Sequence, residues 1–465
     1  MNVKISLNHI SWLVIVVVAF ASCKTTRIYK QPDNMAYTKL YRDTVHADTT
    51  NIANIPWKQM FSDTCLQSII LEGIENNLDL KIAQARIKKA YANFYQSKLA
   101  SIPTLGLSAN GTVQQLSAAQ GGAFIPSQSY QVSLVSGWEA DIWGKLSSTK
   151  RANLALLMQS DAFKRSVQTQ LVSDIATNYF SLLAFDAQLK ITERALAYRT
   201  EDVVTIKVLK ESDVVTGAAV VQSEANRYAA EVTIPDLKQD IRETENRISI
   251  LIGRSPDSIA RNTLSTQGID IDLKTGIPAQ LLSNRPDVQA AEYQVRYNFE
   301  LINVAKAYFY PTITITAQGG LSNGNIFQFL NASSLFGNVV AGLAQPIFNQ
   351  GINKQRLTVA EANQEEALAA FKQSLLSAGE EVSNAMYNYQ AGVEKELLRK
   401  QQIDYLVKAV DFTKELLKYS SSTSYLDVLT SEQSLLSAQL SGINDKLQQM
   451  QAIISLYRSL GGGWR

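Results

Sequence analysis

Reactive side chains are sparse in this chain, and where they fall argues against catalysis. The 465 residues hold two histidines, His9 and His46, and two cysteines, Cys23 and Cys65. An imidazole base or a metal site needs such groups drawn together, and His9 lies in an apolar leader. No Gly-x-Ser-x-Gly elbow or phosphate-binding glycine loop occurs, and the acids are scattered along polar helix faces. Arg285-Pro286-Asp287 imitates a catalytic cluster, but it reads as a turn and helix start. Pro286 suits the first helical turn, and Asp287 suits the positive end of the helix dipole. The expectation is no enzyme, no cofactor and no metal. Cys23 is the side chain with an assignable reaction, because it directly follows an apolar run that ends in two small residues, Ala21 and Ser22.

Residues 1–22 read as a signal peptide, with Lys4 as the positive start and an apolar run too short to span a bilayer. Phe20-Ala21-Ser22-Cys23 resembles a bacterial lipobox, which implies cleavage before Cys23 and its acylation, palmitate included. Phe20 stands where such signals usually carry Leu; the alternative is that Cys23 is an ordinary residue after a different cleavage. With Cys23 acylated, Cys65 has no disulfide partner and is expected to be a buried structural residue. Removing the leader lowers the formal charge from +2 to +1, so nothing advertises nucleic-acid binding. The mature chain holds no apolar run of about 18 residues, so any insertion into a membrane must use strands and acyl chains.

The elements around these residues come in two copies. Ile102-Pro103-Thr104-Leu105-Gly106-Leu107 returns 208 positions later as Tyr310-Pro311-Thr312-Ile313-Thr314-Ile315. Asp79 and Asp287, Ala83 and Ala291, and Lys98 and Lys306 keep the same shift. Each proline ends a helical pattern and starts an extended one. After Pro311, Ile313, Ile315, Ala317 and Leu321 alternate with Thr312, Thr314, Thr316 and Gln318. After Pro103, Leu105, Leu107, Ala109 and Val113 alternate with Ser108, Asn110 and Thr112. Second strands follow, through Tyr130, Val132, Leu134 and Trp138 in one copy and Val339, Ala341 and Leu343 in the other. About ten alternating residues fit a tilted membrane strand, and they fit a small soluble sheet equally well. Four strands cannot close a barrel of about eight, and open edges are not tolerated in lipid. A membrane reading therefore requires an oligomer, and three copies supply twelve strands.

Between the strand pairs, Gly144 to Lys210 contains no proline and no second glycine, and Gly351 to Tyr419 contains no proline. The first stretch predicts a helix of about 100 Å. Leu171, Ile175, Asn178, Leu182, Phe185, Leu189, Thr192 and Leu196 step as a heptad seam, as do Leu368, Phe371, Leu375, Ala378, Val382, Ala385 and Tyr389. Shorter helices follow Val214-Val215-Thr216-Gly217 and Ser420 to Ser424, with hairpin tips at equivalent places: Ser223-Glu224 and Ser431-Glu432 again differ by 208. Pro235 is expected to kink or split the first of them. The layout is a leader over 1–22, an arm over 23–62, a first repeat over 63–255, a linker over 256–283 and a second repeat over 284–465. Each repeat holds a helix, two strands, a long helix and a shorter helix.

Several segments in this order resemble the TolC-like outer-membrane factor family, and most closely its lipoprotein branch from tripartite efflux pumps. They are Trp57, Phe61, Asp63 and Leu66 with Asn77-Leu78-Asp79-Leu80; Ile252-Gly253-Arg254-Ser255-Pro256; Arg285-Pro286-Asp287-Val288 with Ala291-Glu292; Ala305-Lys306-Ala307 before Pro311; and Leu426-Asp427-Val428-Leu429. The resemblance implies a mainly α fold with a membrane β-barrel: a homotrimer with a twelve-stranded barrel in the outer membrane and a coiled-coil-like helical α-barrel in the periplasm. It implies a passive channel for small molecules, fed by a periplasmic adaptor protein and an inner-membrane transporter, and anchored in outer-membrane lipid through Cys23. Asp427 falls on the family's aperture acid, where three carboxylates around a narrow axis would favour cations. Thr430 stands where a second acid or Asn is common, and the basic residues that tie some members shut are missing from Ser420 to Ser424. Asp427 could instead cap its helix or be solvated. Gly217, Ser223, Tyr425 and Ser431 are expected at the tips, in contact with the adaptor. The runner-up functions are the exit duct of a type I protein secretion system and a trimeric structural envelope stalk. The duplicated strand pairs argue against the stalk, because a stalk needs a single anchor. The cargo stays open.

Overall fold

The computed structural model describes residues 26–30, 52–115, 127–267, 284–419 and 425–465; Cys23, the leader, most of the arm and Ser420 to Ser424 lie outside them. Short helix α1 (Thr64–Asn76) leads through Asn77 into α2 (Leu78–Leu99). Strands β1 (Thr104–Gln114) and β2 (Ser127–Ala140) follow, then the long helix α3 (Lys145–Glu211). The chain returns along α4 (Gly217–Glu231) and α5 (Thr233–Leu251). The second copy runs α6 (Pro286–Ala307), β3 (Thr312–Asn323), β4 (Leu335–Ala344), α7 (Ile352–Tyr419) and α8 (Tyr425–Ser459).

The 208-residue shift survives in the element ends: α2 and α6, the ends of α3 and α7, the starts of α4 and α8, and the ends of α5 and α8 all match at that offset. It even reaches the caps. Gly253 and Gly461 both adopt positive φ, at 74° and 91°. A Cβ on Gly253 would meet the Asn76 carbonyl oxygen at 2.6 Å, and one on Gly461 would strike the equivalent Asn284. Glycine is required twice for one close approach. Pro235 splits the first returning helix three residues ahead of itself, at Val232, and so sits in the first turn of α5, where it needs no donor. The counterpart α8 has no proline and runs unbroken for 35 residues.

The described residues form two compact units. The first, drawn from residues 26–30, 86–160 and 290–371, holds the sheet. Its order is β1-β2-β3-β4 with every neighbour antiparallel, so the two copies join through β2 and β3. Register places Leu107 opposite Leu134, Ala109 opposite Val132, Trp138 opposite Ile315, Ile313 opposite Leu343 and Ala317 opposite Val339. Alternation then puts these residues on one continuous apolar face. The other face carries Thr314, Thr316 and Gln318, whose Nε2 donates to Ser133 Oγ at 2.8 Å. Gly320 allows β2 and β3 to close, because a Cβ there would strike the Val132 carbonyl and lie 2.6 Å from Ser133 Cα.

The second unit, drawn from residues 52–85, 161–289 and 372–465, holds most of the buried side chains. Its hub is Asp63, which caps α1 by accepting from the Cys65 and Leu66 amides. Asp63 also accepts from Tyr179 Oη at 2.8 Å, Asn262 Nδ2 at 2.9 Å and Gln267 Nε2 at 2.7 Å. Cys65, expected to be buried, is only half-buried, because the first turn of α1 points its side chain outward while the cap satisfies its amide. At the end of the arm Trp57, Met60 and Phe61 are buried, and Tyr457 Oη donates to the Ile55 carbonyl at 2.6 Å.

The α7 seam is as narrow as its heptads predict, with Phe371, Leu375, Ala378, Val382 and Ala385 buried. The α3 seam is not. Val172, Ala176, Tyr179, Phe180, Leu183 and Ala184 are buried beside Leu171, Ile175 and Leu182, so from 171 to 184 the helix is covered nearly all round. The seam steps miss this because the covering segments, around Gly73 and Ile252, come from remote sequence.

Candidate functional site

The long helices end in two hairpins, and most of the sequence-predicted site residues lie there. α3 stops where Asp213 takes a left-handed φ of 54°, and Val214 N–H closes the turn on the Leu209 carbonyl at 2.9 Å. Gly217 then opens α4, with nothing within 4 Å of where a Cβ would sit, so its role there is not spatial. On the other hairpin Tyr425 opens α8. Ile206, Tyr425 and Leu429 form a small apolar cluster with Leu209, Val215, Ala219, Val220 and Leu417. Ser223 is 2% exposed, and its hydroxyl lies 3.1 Å from Tyr425 Oη. Ser223 and Tyr425 therefore join the two hairpins to each other.

Asp427 is exposed in the first turn of α8, where a carboxylate suits the helix dipole. Thr430 is exposed, and its hydroxyl donates to the Leu426 carbonyl at 2.8 Å; Ser431, half-buried, donates to the Asp427 carbonyl at 2.9 Å. Asp427, Thr430 and Ser431, three and four residues apart, share one helical face, with Ser431 at its more covered edge. Cys23 lies outside the described residues.

Next to the apolar cluster lies a charged layer that sequence reasoning missed. Arg199 is 8% exposed and donates to the Asn226 carbonyl at 2.7 Å and to Gln433 Oε1 at 3.2 Å. Lys414 Nζ lies 2.6 Å from Glu432 Oε1. Asp202 faces this pair with its Oδ2 sealed from solvent and without a hydrogen-bond partner. Burial, and then the Glu432 charge, push the Asp202 carboxyl up to about 6 against the pull of Lys414. Burial also raises Tyr425 and lowers Arg199. Only the Glu432 position, marked by its repeat partner Glu224, offered a signal in the sequence.

The layer borders a groove of about 1160 Å³ between α3, α7 and α8, lined by its own Arg199, Lys414 and Glu432 and, beyond them, by Asp186, Lys190 and Lys446 among others. Charged side chains of both signs are interspersed there with Leu183, Ile191, Ile403 and Leu435, a mixed wall and not a wholly apolar pocket. At the start of α6, Arg285 is 5% exposed and holds Asp287 at 2.6 Å, Glu381 at 2.8 Å and the Ser459 carbonyl at 2.9 Å. Burial works against its charge, but the Asp287 bond and the two acids outweigh it and hold Arg285 above its usual range. The cluster that imitated a catalytic site is a helix-start clamp. Among the described residues, no group of His, Cys, Asp and Glu is placed to hold a metal ion, and no helix is long and apolar enough to cross a membrane.

A four-stranded antiparallel sheet with one apolar face, carried on duplicated helices of 67 and 68 residues, defines a class: the outer-membrane channel with a helical extension. The chain belongs to the outer membrane efflux protein family, whose model matches residues 70–254 and 277–462. It is 28% identical over 416 residues to the solvent efflux pump outer membrane protein SrpC of Pseudomonas putida, covering 88% of this chain and 87% of that one. It is 26% identical over 422 residues to the cation efflux system protein CusC of Escherichia coli O6:H1, covering 89% and 90%. Its fold matches the open-state MtrE outer membrane channel of Neisseria gonorrhoeae with a TM-score of 0.85 at 24% identity, covering 95% of this chain and 99% of that one. The protein is thus an outer-membrane efflux channel with periplasmic helices.

Proposed function

We propose that three copies of this chain close a twelve-stranded barrel and a helical duct, through which small molecules pass passively from an inner-membrane transporter and a periplasmic adaptor to the exterior. One observation carries the reading: among the described residues the sheet ends in two unpaired edges, β1 and β4, and it exposes Leu105, Leu107, Val339 and Leu343 at 67–74%. Open edges in lipid leave backbone donors and acceptors unsatisfied, so neighbouring copies must pair β1 with β4. The helices support the same stoichiometric need. Leu398, Tyr405, Phe412 and Tyr419 stand exposed at steps of seven along α7, a coiled-coil stripe that no other helix covers among the described residues. On α2, Leu78, Ile82, Tyr91 and Tyr95 are exposed as well.

The membrane level is marked at the strand starts. Trp138 donates to the Ser101 carbonyl at 3.0 Å, Trp143 donates to the Pro311 carbonyl at 2.7 Å, and Trp143 stacks on Tyr310 at 4.8 Å. Such indoles suit a headgroup interface. Thr26 packs at Gly144 beside them, and Arg27 is clamped through its own amide and carbonyl by Asn303. Cys23, three residues before Thr26 in the sequence, carries the acyl anchor in this reading. At the hairpins, Asp427 and Thr430 line the aperture, Gly217 and Ser431 with the outer turns contact the adaptor, and Ser223 and Tyr425 tie the hairpins beneath that surface. The chain works as a duct and not as a catalyst; the transporter supplies the energy and the selectivity. The relatives act on solvents in one case and cations in another, and walls of Thr, Ser, Gln and Asn suit either.

The test is the mass of detergent-purified protein from outer-membrane fractions, wild type against Cys23→Ala. A heat-sensitive trimer whose wild-type subunit carries acyl mass is expected. A soluble, unacylated monomer would overturn the reading.

A further inference from the structure

Asp202 on α3, Lys414 on α7 and Glu432 on α8 meet where the two hairpins touch, and their hydrogen bonds do not balance. Lys414 is committed to Glu432 at 2.6 Å, and the Glu432 side chain is 13% exposed. Arg199, the other cation near the layer, spends its donors on the Asn226 carbonyl and Gln433. The remaining ionisable neighbours are acids or a phenol: Glu201 on α3, Asp411 on α7 and Tyr425 on α8. From α4 the layer meets Ser223 and the backbone of Asn226. Asp202 Oδ2 is left buried with no donor. A buried acceptor in this position costs free energy unless it acquires a proton and becomes a donor. With one proton, Asp202 can donate to Glu432 while Glu432 keeps Lys414. Without it, two carboxylates face one ammonium and the Arg199 guanidinium, whose donors are spent elsewhere, and Asp202 Oδ2 keeps no donor.

We propose that Asp202 and Glu432 form a proton-sensitive latch between the two hairpins, tight when they share a proton and loosened when both are ionised. The functional consequence, a tip that opens more readily as pH rises, rests on the channel reading above; the latch itself does not. The sign follows from linkage. When α3 and α8 separate, Asp202 returns toward 3.8, whereas in contact it is held up at about 6. The contact is therefore strongest below the separated value, weakens as pH climbs from there to about 6, and changes little above. Asp202 is only half-buried, so solvent screening reduces the full two-unit effect to roughly tenfold in the ratio of separated to joined hairpins.

Two readouts on the full-length trimer in detergent and in planar bilayers test this. Hydrogen exchange of peptides covering 199–209 and 425–435, corrected for intrinsic rates, is expected to be about tenfold slower at pH 4.5 than at pH 7 in the wild type. In Asp202→Asn, whose amide donates to Glu432 at any pH, exchange should be slow at both. Asp427→Asn should keep the wild-type response, which separates the latch from the exposed acid. Open probability in bilayers should follow the same pattern. If Asp202→Asn retains the wild-type pH response, or the wild type shows none, the latch is wrong. Slow, pH-independent exchange in Asp202→Asn alongside a wild type that never conducts would uphold the latch and remove the channel reading. Glu432→Gln, which should also abolish the pH response, guards against a folding artefact confined to position 202.

Discussion

Glu224 and Glu432 occupy the same place in the two repeats, and their surroundings differ. Glu224 is solvated and satisfied twice, by Lys207 Nζ at 2.7 Å and Arg227 Nε at 3.1 Å, and these hydrogen bonds hold its carboxyl below the usual range. Glu432 is largely buried, with one lysine and a facing acid. At the same 208-residue shift, Asp202 corresponds to buried Val410 and Lys414 to buried Ile206. Ile206 packs on Tyr425 and Leu429, whereas Lys414 reaches Glu432. Duplication preserved the backbone frame down to Gly253 and Gly461, while a few side chains turned one hairpin contact apolar and the other ionic. What the frame holds constant is geometry; what distinguishes the tips is charge balance.

The largest expected effect of breaking such a comparison lies in the sheet. Gly320→Val forces a side chain into the β2 backbone, whereas the equivalent Thr112 in β1 is exposed and already carries one. Gly320→Val should abolish the heat-resistant oligomer on gels, and Thr112→Val should leave it intact. The starts of α6 and α2 come next. Arg285→Ala strips a buried guanidinium from Asp287, Glu381 and the Ser459 carbonyl, at a cost of about 3–5 kcal/mol. Its counterpart Asn77 caps α2 and donates to the Leu251 carbonyl at 2.8 Å, with Leu251 equivalent to Ser459. Asn77→Ala should cost about 1–2 kcal/mol. Thermal denaturation of both variants measures the gap; equal losses would refute the contrast.

Tyr425→Phe deletes the hydroxyl facing Ser223, and a loss of about 1 kcal/mol is expected, together with faster hydrogen exchange in both hairpins. The smallest effect belongs to the exposed tip. Asp427→Asn should leave the melting temperature unchanged and lower the preference for cations over anions by about twofold, read from reversal potentials in a salt gradient.

Much of this architecture was legible in the sequence because the signals are local and repeated. Two long spans without proline, Pro103 and Pro311 before alternating residues, and Pro235 in one returning segment state the elements and their asymmetry directly. The α7 seam was legible for the same reason. The broad burial of α3 between Leu171 and Ala184 was not, because its cover is supplied by remote segments, around Gly73 and Ile252 and, nearly three hundred residues on, at Gly463 against Val172. Cys65 misled because a cysteine beside apolar residues suggests burial, and only the Asp63 cap shows which way the first turn of α1 faces. Of the tip, Asp427, Thr430 and Gly217 could be placed from spacing and resemblance. Asp202 could not, since its significance arises only when α3 meets α7 and α8 across more than two hundred residues of chain.

Single-channel recording on the purified full-length protein tests the central claim most directly. Discrete, steady conductance steps carried by a species of three subunits are what a closed barrel joined to a helical duct requires. A monomer that binds bilayers without steps, or no insertion at all, would contradict it.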